Sequence, residues 1–451
     1  MTMQLQLSQL ADLLGCDTPI SDVLVQGTVI DSRKVMQSNL FIALQGEHVD
    51  GHDYIALARQ SGASAALVSE KQDDKLPQLV VADVVQAFGL IAKYWRQQCA
   101  TKVVAVTGSN GKTTVKEMVA AILKQCGSVV ATLGNLNNEL GVPLTLTRLD
   151  KTTDYAVIEM GANHPGEIAQ LVKLADPQVA VINNVASAHL EGFGDLAGVA
   201  KAKAEIFTGL TKQGVGVFNA DMAFAEDWKQ LLANKEYISF ALENNADIMA
   251  KDCQLGAVSS HFMVALDDVL HYINLPLPGL HNVANALAAI AVTSALNIPV
   301  TSIVKGLSTV QGAPHRLQLH RGIEHSQLID DSYNANPDSY QQALAALNAF
   351  PGKHWLILGD FAELGTECEQ IHHQMGLTAR ESGVEQLFTV GEMSEQASNS
   401  FGDGARHFTN INDLQQVLQR ELTEGVTCLI KGSRFMQLDK LADVLSVEGE
   451  G

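Results

Sequence analysis

Four apolar residues, Val103 to Val106, run straight into Thr107-Gly108-Ser109-Asn110-Gly111-Lys112-Thr113-Thr114, and a helix-like stretch from Val115 to Leu123 follows. A strand, a glycine-rich turn and a helix start in that order restrict the chain to α/β architectures. Such a turn aims backbone N–H groups and the positive end of a helix dipole at one point in space. Gly108 and Gly111 let the backbone wrap closely around phosphates, with Ser109 and Asn110 between them. Lys112 can reach β and γ oxygens, Thr113 can ligand Mg²⁺, and Thr114 completes the loop. The spacing is shorter than the strict eight-residue P-loop pattern, so this is a variant loop. The plain alternative is a Gly/Asn surface turn.

At 451 residues the chain is too long for one core, and its length points to about three domains. The first ~100 residues alternate short apolar runs with polar turns: Val23 to Val29, Leu40 to Leu44, Ala65 to Val68 and Leu79 to Val81. One helix-like segment, Tyr54 to Ser61, interrupts them, and a helix from Val85 to Cys99 closes this small α/β domain, 1–100. In 101–311 strands and helices alternate as in a doubly wound parallel sheet. There, Tyr155 to Met160, Val179 to Val185 and Val215 to Asn219 read as strands. Between Ile238 and Leu277 helical patterns vanish, which predicts antiparallel strands appended to the sheet. An alanine-rich helix follows from Val283 to Leu296. In 312–451 the α/β pattern restarts, with strands at Leu328 to Asp331, Trp355 to Leu358, Leu387 to Val390 and Thr427 to Ile430. A Rossmann-like third domain is the economical reading.

A net charge of −20 argues against general affinity for nucleic acid or an anionic membrane. A basic pocket for an anionic substrate remains compatible with it. No apolar run has the length of a membrane span, and Met1-Thr2-Met3-Gln4 does not open a signal peptide. The six cysteines are scattered without metal-ligand spacing, as expected of reduced thiols in the cytoplasm.

Ligands in open α/β sheets gather at the carboxyl ends of strands. Glu159 ends one such strand and can hold Mg²⁺ as a Walker-B carboxylate does, or simply cap the strand. His189 follows another strand; alone, a histidine there is an ordinary loop hydrogen-bonder. Lys203 sits on a helix, Leu196 to Phe207, in the middle of the face carrying Val199, Ile206 and Phe207, while Lys201 and Glu205 project towards solvent. Burial would depress its pKa and favour the neutral amine, the form that reacts with CO₂ to give a carbamate. The alternative is a snorkelling lysine. Three polar clusters mark loop-to-element junctions: Gly134 to Asn138, Gly279 to Asn285 and Asp330 to Pro337. Asn-rich loops also serve as plain turns, and His281 to Asn285 could be a capped helix start. Asp331, at a strand end, suits a ribose or magnesium contact.

Together these residues resemble the Mur ligase superfamily, ATP-dependent amide-forming enzymes of peptidoglycan precursor synthesis, over essentially the whole chain. The variant P-loop is similar to that family's own. The resemblance implies Glu159, His189 and a carbamylated Lys203 as ligands of two Mg²⁺ ions, with Thr113 beside Glu159. It implies Lys112, Lys203, His189 and Glu159 in catalysis, and Asn282, Arg316 and Asp331 as nucleotide contacts. Asp31-Ser32-Arg33 and Leu40 to Asp53 are similar to the segment that holds a UDP-sugar, which implicates Ser32, Arg33, Gly46, Asp50 and His52. Gly134 to Pro143, Gly161 to His164, Asp330 to Pro337 and Leu358 to Gly365 look most like the branch that adds D-alanyl-D-alanine to UDP-N-acetylmuramoyl-tripeptide. That implicates Asn135, Asn137, Asn138, Asn334 and Asn336 in substrate binding. Ala313-Pro314-His315-Arg316 replaces the glycine–arginine pair often seen in the family. A cytoplasmic monomer is expected. Rival readings are a sibling ligase using another amine, of the folylpolyglutamate or diaminopimelate-adding type, and a P-loop ATPase switch that forms no amide.

Overall fold

The structure is a computed structural model that describes residues 2–17, 21–46, 48–186 and 190–447. It opens with β1 (Gln4–Gln6) and β2 (Leu24–Gln26), paired antiparallel. Between them runs a helix, Leu7–Leu14, that the sequence reading missed. Its buried residues are Leu7, Leu10 and Ala11, a single turn's worth of apolar spacing and too short to stand out as a period. β3 (Thr28–Val29), β4 (Leu40–Ile42), β5 (Ala65–Val68) and β6 (Gln78–Val80) form a parallel sheet in that order. The run Val23 to Val29 is therefore two strands in two sheets rather than one. Gly27, at φ +69°, turns the chain between them, a conformation open to glycine at little steric cost.

The central sheet comprises β7 (Lys102–Thr107), β8 (Val129–Ala131), β9 (Tyr155–Glu159), β10 (Val179–Ile182), β11 (Val215–Asn219), β12 (Glu236–Ala241), β13 (Ile248–Leu255), β14 (Ser260–Leu266) and β15 (Val269–Leu275). Their spatial order is β15-β14-β13-β12-β11-β10-β7-β9-β8. β12 lies parallel to β11, so the antiparallel extension begins only where β13 meets β14. The P-loop strand β7 sits between β10 and β9, buried on both faces, as a parallel strand needs to be.

The third sheet holds β16 (Gln318–Arg321), β17 (Gln327–Asp331), β18 (Lys353–Gly359), β19 (Gln386–Val390), β20 (Ala405–Phe408) and β21 (Val426–Lys431), ordered β16-β17-β21-β18-β19-β20. β16 is antiparallel to β17, and the others run parallel.

The helix Val84–Gln97 belongs to both of the first two units. Its Trp95 and Ile91 share one apolar cluster with Leu7 and Leu67 of the first unit and with Leu146 and Ile168 of the second. Trp95 Nε1 donates to Leu149 O at 2.9 Å, and Arg96 Nε donates to Ala175 O at 2.9 Å. No helix among the described residues is long and apolar enough to cross a membrane.

Candidate functional site

The helix Lys112–Leu123 begins directly after Gly111, whose φ is +74°. A Cβ there would lie 2.4 Å from Asn285 Oδ1 and 2.8 Å from Asn183 Nδ2, so only glycine fits. The turn is held from beneath by β10's polar end. Asn184 Oδ1 accepts from Asn110 N at 2.8 Å, Asn184 Nδ2 donates to Asn110 O at 2.9 Å, and Ser109 Oγ donates to Ala186 O at 3.1 Å. Asn183 Nδ2 reaches Asn110 O and Asn285 Oδ1, and Asn285 Nδ2 donates to Asn282 Oδ1 at 3.2 Å. Asn183 and Asn184 were not singled out from sequence, although they end a predicted strand, where ligand-facing polar groups collect. The helix carrying Asn282 and Asn285 starts at Leu280 without a side-chain cap, so the cluster is not a capped helix start.

Above this turn lies a cavity of about 720 Å³ between the central and third units. Ser109, Asn110, Gly111, Lys112, Thr114, Asn135, Asn282, Arg316, Asp331, Asn334 and Asn336 all line it. Lys112 Nζ donates to Gly108 O at 2.9 Å and Ser109 O at 3.2 Å, folded back across the loop. Burial lowers its pKa, Glu159 opposes that shift, and Arg316 adds to it. Asn336 Nδ2 donates to Asn110 Oδ1 at 2.7 Å, while its Oδ1 caps the helix Pro337–Leu347 by accepting from Ser339 N. The third unit therefore touches the P-loop directly.

Glu159 is buried at the end of β9. Thr113 Oγ1 donates to its Oε2 at 3.0 Å, and Asn137 Nδ2 donates to its Oε1 at 2.8 Å. A hydroxyl and a carboxylate adjacent to a phosphate-cradling loop form the hard-oxygen pair that Mg²⁺ takes beside phosphates, with phosphate oxygens and water completing its shell. Asn138 serves the backbone instead, its Oδ1 accepting from Gly141 N at 3.0 Å.

Lys203 is only 3% exposed. Desolvation, joined by the nearby charge of Lys112, pushes its pKa well below that of a free lysine. Snorkelling does not describe it. The α-helix ends at Ala204 and continues as a 3₁₀ turn, Glu205–Gly209. Glu205 does not face solvent freely, because its carboxylate accepts from Gly166 N at 2.7 Å and Ala169 N at 3.1 Å at the start of the helix Glu167–Ala175. His189 lies outside the described residues.

Arg316 lies 4.3 Å from the centre of the Tyr333 ring, a cation–π contact. Its neighbours His315 and Leu317 adopt left-handed φ of 59° and 48°. The glycine-type backbone thus persists without glycine. His315 Nδ1 pairs with Asp330 Oδ2 at 2.6 Å, and Tyr333 N donates to His315 O at 3.1 Å. Asp331 forms a buried ion pair with Lys431 and accepts from Leu317 N at 3.2 Å. Tyr333, within the Asp330 to Pro337 cluster, also lines the cavity, as do Lys431 and Arg434, which were missed from sequence. Lys431 ends β21, the strand next to Asp331's, so the strand-end rule would have found it.

His281 borders the same cavity. Burial, with the charge of Lys431, lowers its pKa to about 4. The unfolded chain, at about 6.5, therefore binds the proton that the folded one refuses. Stability contributed by His281 should be complete above about pH 6.5 and decline as pH falls towards about 4. A histidine-resolved NMR titration should show no His281 transition between pH 5.5 and 8. A midpoint near 6.5 would contradict this.

The UDP-sugar candidates do not line this cavity. Arg33, with 83% of its side chain exposed, is tied to Asp31 through two hydrogen bonds, and Arg33 holds the Asp31 carboxyl down at about 2. Ser32 opens the short turn beside them. Gly46 N donates to Val49 O, Asp50 accepts from His52 N and pairs with its Nδ1, and His52 Nε2 accepts from Ser69 N. These bonds lie within the first unit.

Known proteins agree with this arrangement. Three family models match in succession: "Mur ligase family, catalytic domain" over residues 24–98, "Mur ligase middle domain" over 106–293 and "Mur ligase, glutamate ligase domain" over 315–434. The UDP-N-acetylmuramoyl-tripeptide–D-alanyl-D-alanine ligase of Escherichia coli K12 is 43% identical over 98% of both chains. A crystal structure of MurF from Acinetobacter baumannii superposes with a TM-score of 0.91 at 34% identity, covering 98% of this chain and 99% of that one. MurF ligase from Thermotoga maritima in complex with ADP gives 0.82 at 27% identity, over 93% and 97%. The chain belongs to the Mur ligase family.

Proposed function

We propose that this chain is an ATP-dependent, ADP-forming ligase that joins D-alanyl-D-alanine to UDP-N-acetylmuramoyl-tripeptide. The observation that carries the reading is the convergence of a phosphate-cradling loop, the Thr113–Glu159 pair and the buried Lys203 beside Lys112. The full-length resemblance to ligases of that name supplies the substrate pair. Residues 1–100, 101–311 and 312–451 serve as the UDP-substrate, ATP and C-terminal domains. Ser32, Arg33, Gly46, Asp50 and His52 face the UDP-sugar, and Asn135, Asn137, Asn138, Asn334 and Asn336 the peptide side.

The tripeptide's terminal carboxylate attacks the γ-phosphorus of ATP, ADP leaves, and an acyl phosphate forms. Lys112 and the loop amides hold the oxygens on which charge accumulates, and Arg316 approaches from the third domain. The amine of D-alanyl-D-alanine then attacks the acyl carbon, loses a proton, and expels phosphate from the tetrahedral intermediate. Mg²⁺ beside Thr113 and Glu159, and a second ion near Lys203 and His189, would neutralise phosphate charge when bound. The neutral Lys203 amine adds CO₂, forming an N–C bond and releasing one proton. The resulting carbamate anion is stabilised by Lys112. The third domain keeps water from the acyl phosphate while it lasts. Reactants of this kind place the enzyme in the cytoplasm.

The test is phosphate release from ATP. We expect turnover only when UDP-N-acetylmuramoyl-tripeptide and D-alanyl-D-alanine are both present. Activation by glutamate or diaminopimelate instead would reassign the amine. Turnover without any carboxylate substrate would make the chain an ATPase rather than a ligase.

A further inference from the structure

Lys116 is a charged side chain that the chemistry above leaves unused, yet it is only 1% exposed. It lies one turn beyond Lys112 on the helix Lys112–Leu123. Its Nζ donates to Thr132 O at 2.8 Å and meets Glu117 Oε1 at 2.9 Å. Thr132 directly follows β8, the edge strand, which among the described residues pairs only with β9.

The parallel ladder between these strands has a definite phase. Tyr155 N donates to Ser128 O, and Thr132 N donates to Val157 O. With evenly spaced parallel rungs, the next would run from Glu159 N to Thr132 O. The structure breaks this sequence. Glu159 N donates instead to the Thr132 hydroxyl, Oγ1, at 3.0 Å, and Thr132 O is taken by Lys116. An edge strand has no second neighbour to hold its end in place. A buried ammonium supplies the anchor, because leaving such a charge without its acceptor is costly.

We infer that Lys116 and Thr132 are positioning residues: they replace the last backbone rung with a side-chain rung and thereby aim Glu159. The carboxylate leaves the strand in register with Thr113 Oγ1 and Asn137 Nδ2. Thr132 also begins the segment that delivers Asn137, so one buried cation sets both the carboxylate and the amide that holds it. The inference rests on the reading of Glu159 as the carboxylate beside Mg²⁺.

The experiment compares Thr132→Val, Thr132→Ser, Lys116→Met and Glu159→Gln in the full chain. Two readouts are used: the Mg²⁺ concentration at half-maximal turnover, and Mn²⁺ binding to the enzyme–ADP complex measured by electron paramagnetic resonance. Outer-shell partners of a metal ligand typically change affinity by 10- to 100-fold. Thr132→Val and Lys116→Met should each raise both values by about 10-fold, leaving KM for the UDP-tripeptide unchanged. Thr132→Ser, which keeps the hydroxyl, should behave as wild type. If Lys116→Met does not fold, the Thr132→Val and Thr132→Ser pair decides the matter. Wild-type metal saturation in a folded Thr132→Val, alongside a shifted Glu159→Gln, would overturn the inference alone. An unshifted Glu159→Gln would overturn the reading of Glu159 first.

Discussion

Replacing Lys203 by alanine is expected to reduce turnover by at least about 10²-fold, the scale of loss when a preorganised electrostatic group is removed from a reacting centre. The reason lies in where the amine sits. At 3% exposure it has little contact with water, and neither a hydrogen bond nor an ion pair to its Nζ is found among the described residues. Desolvation and the charge of Lys112 both favour the neutral form. Such an amine is nucleophilic, and conversion to a carbamate would replace a repelled cation with an anion attracted to Lys112. A short carboxylic acid in the buffer should therefore restore part of the activity of Lys203→Ala by occupying the carbamate's place. Lys203→Met, similar in volume, should be equally inactive but no less stable, which separates chemistry from packing.

The pH dependence has a definite sign. Because the Lys203 pKa is depressed from the usual lysine value of about 10.4, the reactive neutral amine persists to lower pH than in an exposed lysine. Carbamate should decline only as pH falls through that depressed value. Protein equilibrated with ¹³CO₂ should show a carbamate resonance at neutral pH that is absent in Lys203→Met. Loss of activity without acid rescue and without that resonance would remove the carbamate from the mechanism while keeping Lys203 essential.

Lys112→Met should be more damaging, lowering kcat/KM for ATP by about 10³-fold, since charge neutralisation on a transferring phosphoryl group is the main task of such a loop. A second effect distinguishes this site from an isolated phosphate loop. Lys112 lowers the pKa of Lys203, so its loss should raise that pKa and destabilise any anion formed there. The ¹³C carbamate signal of Lys112→Met should therefore be weaker than wild type at the same pH. An unchanged signal would show that the two lysines act independently.

Much of this centre was legible from sequence because its signals are local. Strand β7, the loop and the following helix are contiguous, and Glu159 and Asp331 end apolar runs whose period identified them as strands. Lys203 stood out through its misplacement on an apolar face. What could not be read depends on distant partners. Nothing near Lys116 in sequence announces that its ammonium meets the carbonyl of Thr132, nor does anything near Glu205 reveal that it caps the helix at Gly166. Asn336 looks like an ordinary helix cap until its amide is found on Asn110, 226 residues away. The split of Val23 to Val29 was hidden for a similar reason: both halves suit a strand, and only the sheets they join tell them apart. His315 is the converse case. A side chain stands where the backbone takes a glycine-like turn, and its pairing with Asp330 accompanies that geometry.

The helix Val84–Gln97 bears on how the molecule can be divided. Family boundaries fall on either side of residue 100, yet Trp95 and Arg96 hydrogen-bond to Leu149 and Ala175 beyond it. A fragment ending near residue 100 would leave Trp95 and Arg96 without these acceptors and would expose Ile91 along with them. A fragment beginning there would uncover Leu146 and Ile168. The first two units therefore share one core across three sheets. Exchanging the first hundred residues between relatives will succeed only when the surface of the second is exchanged with them.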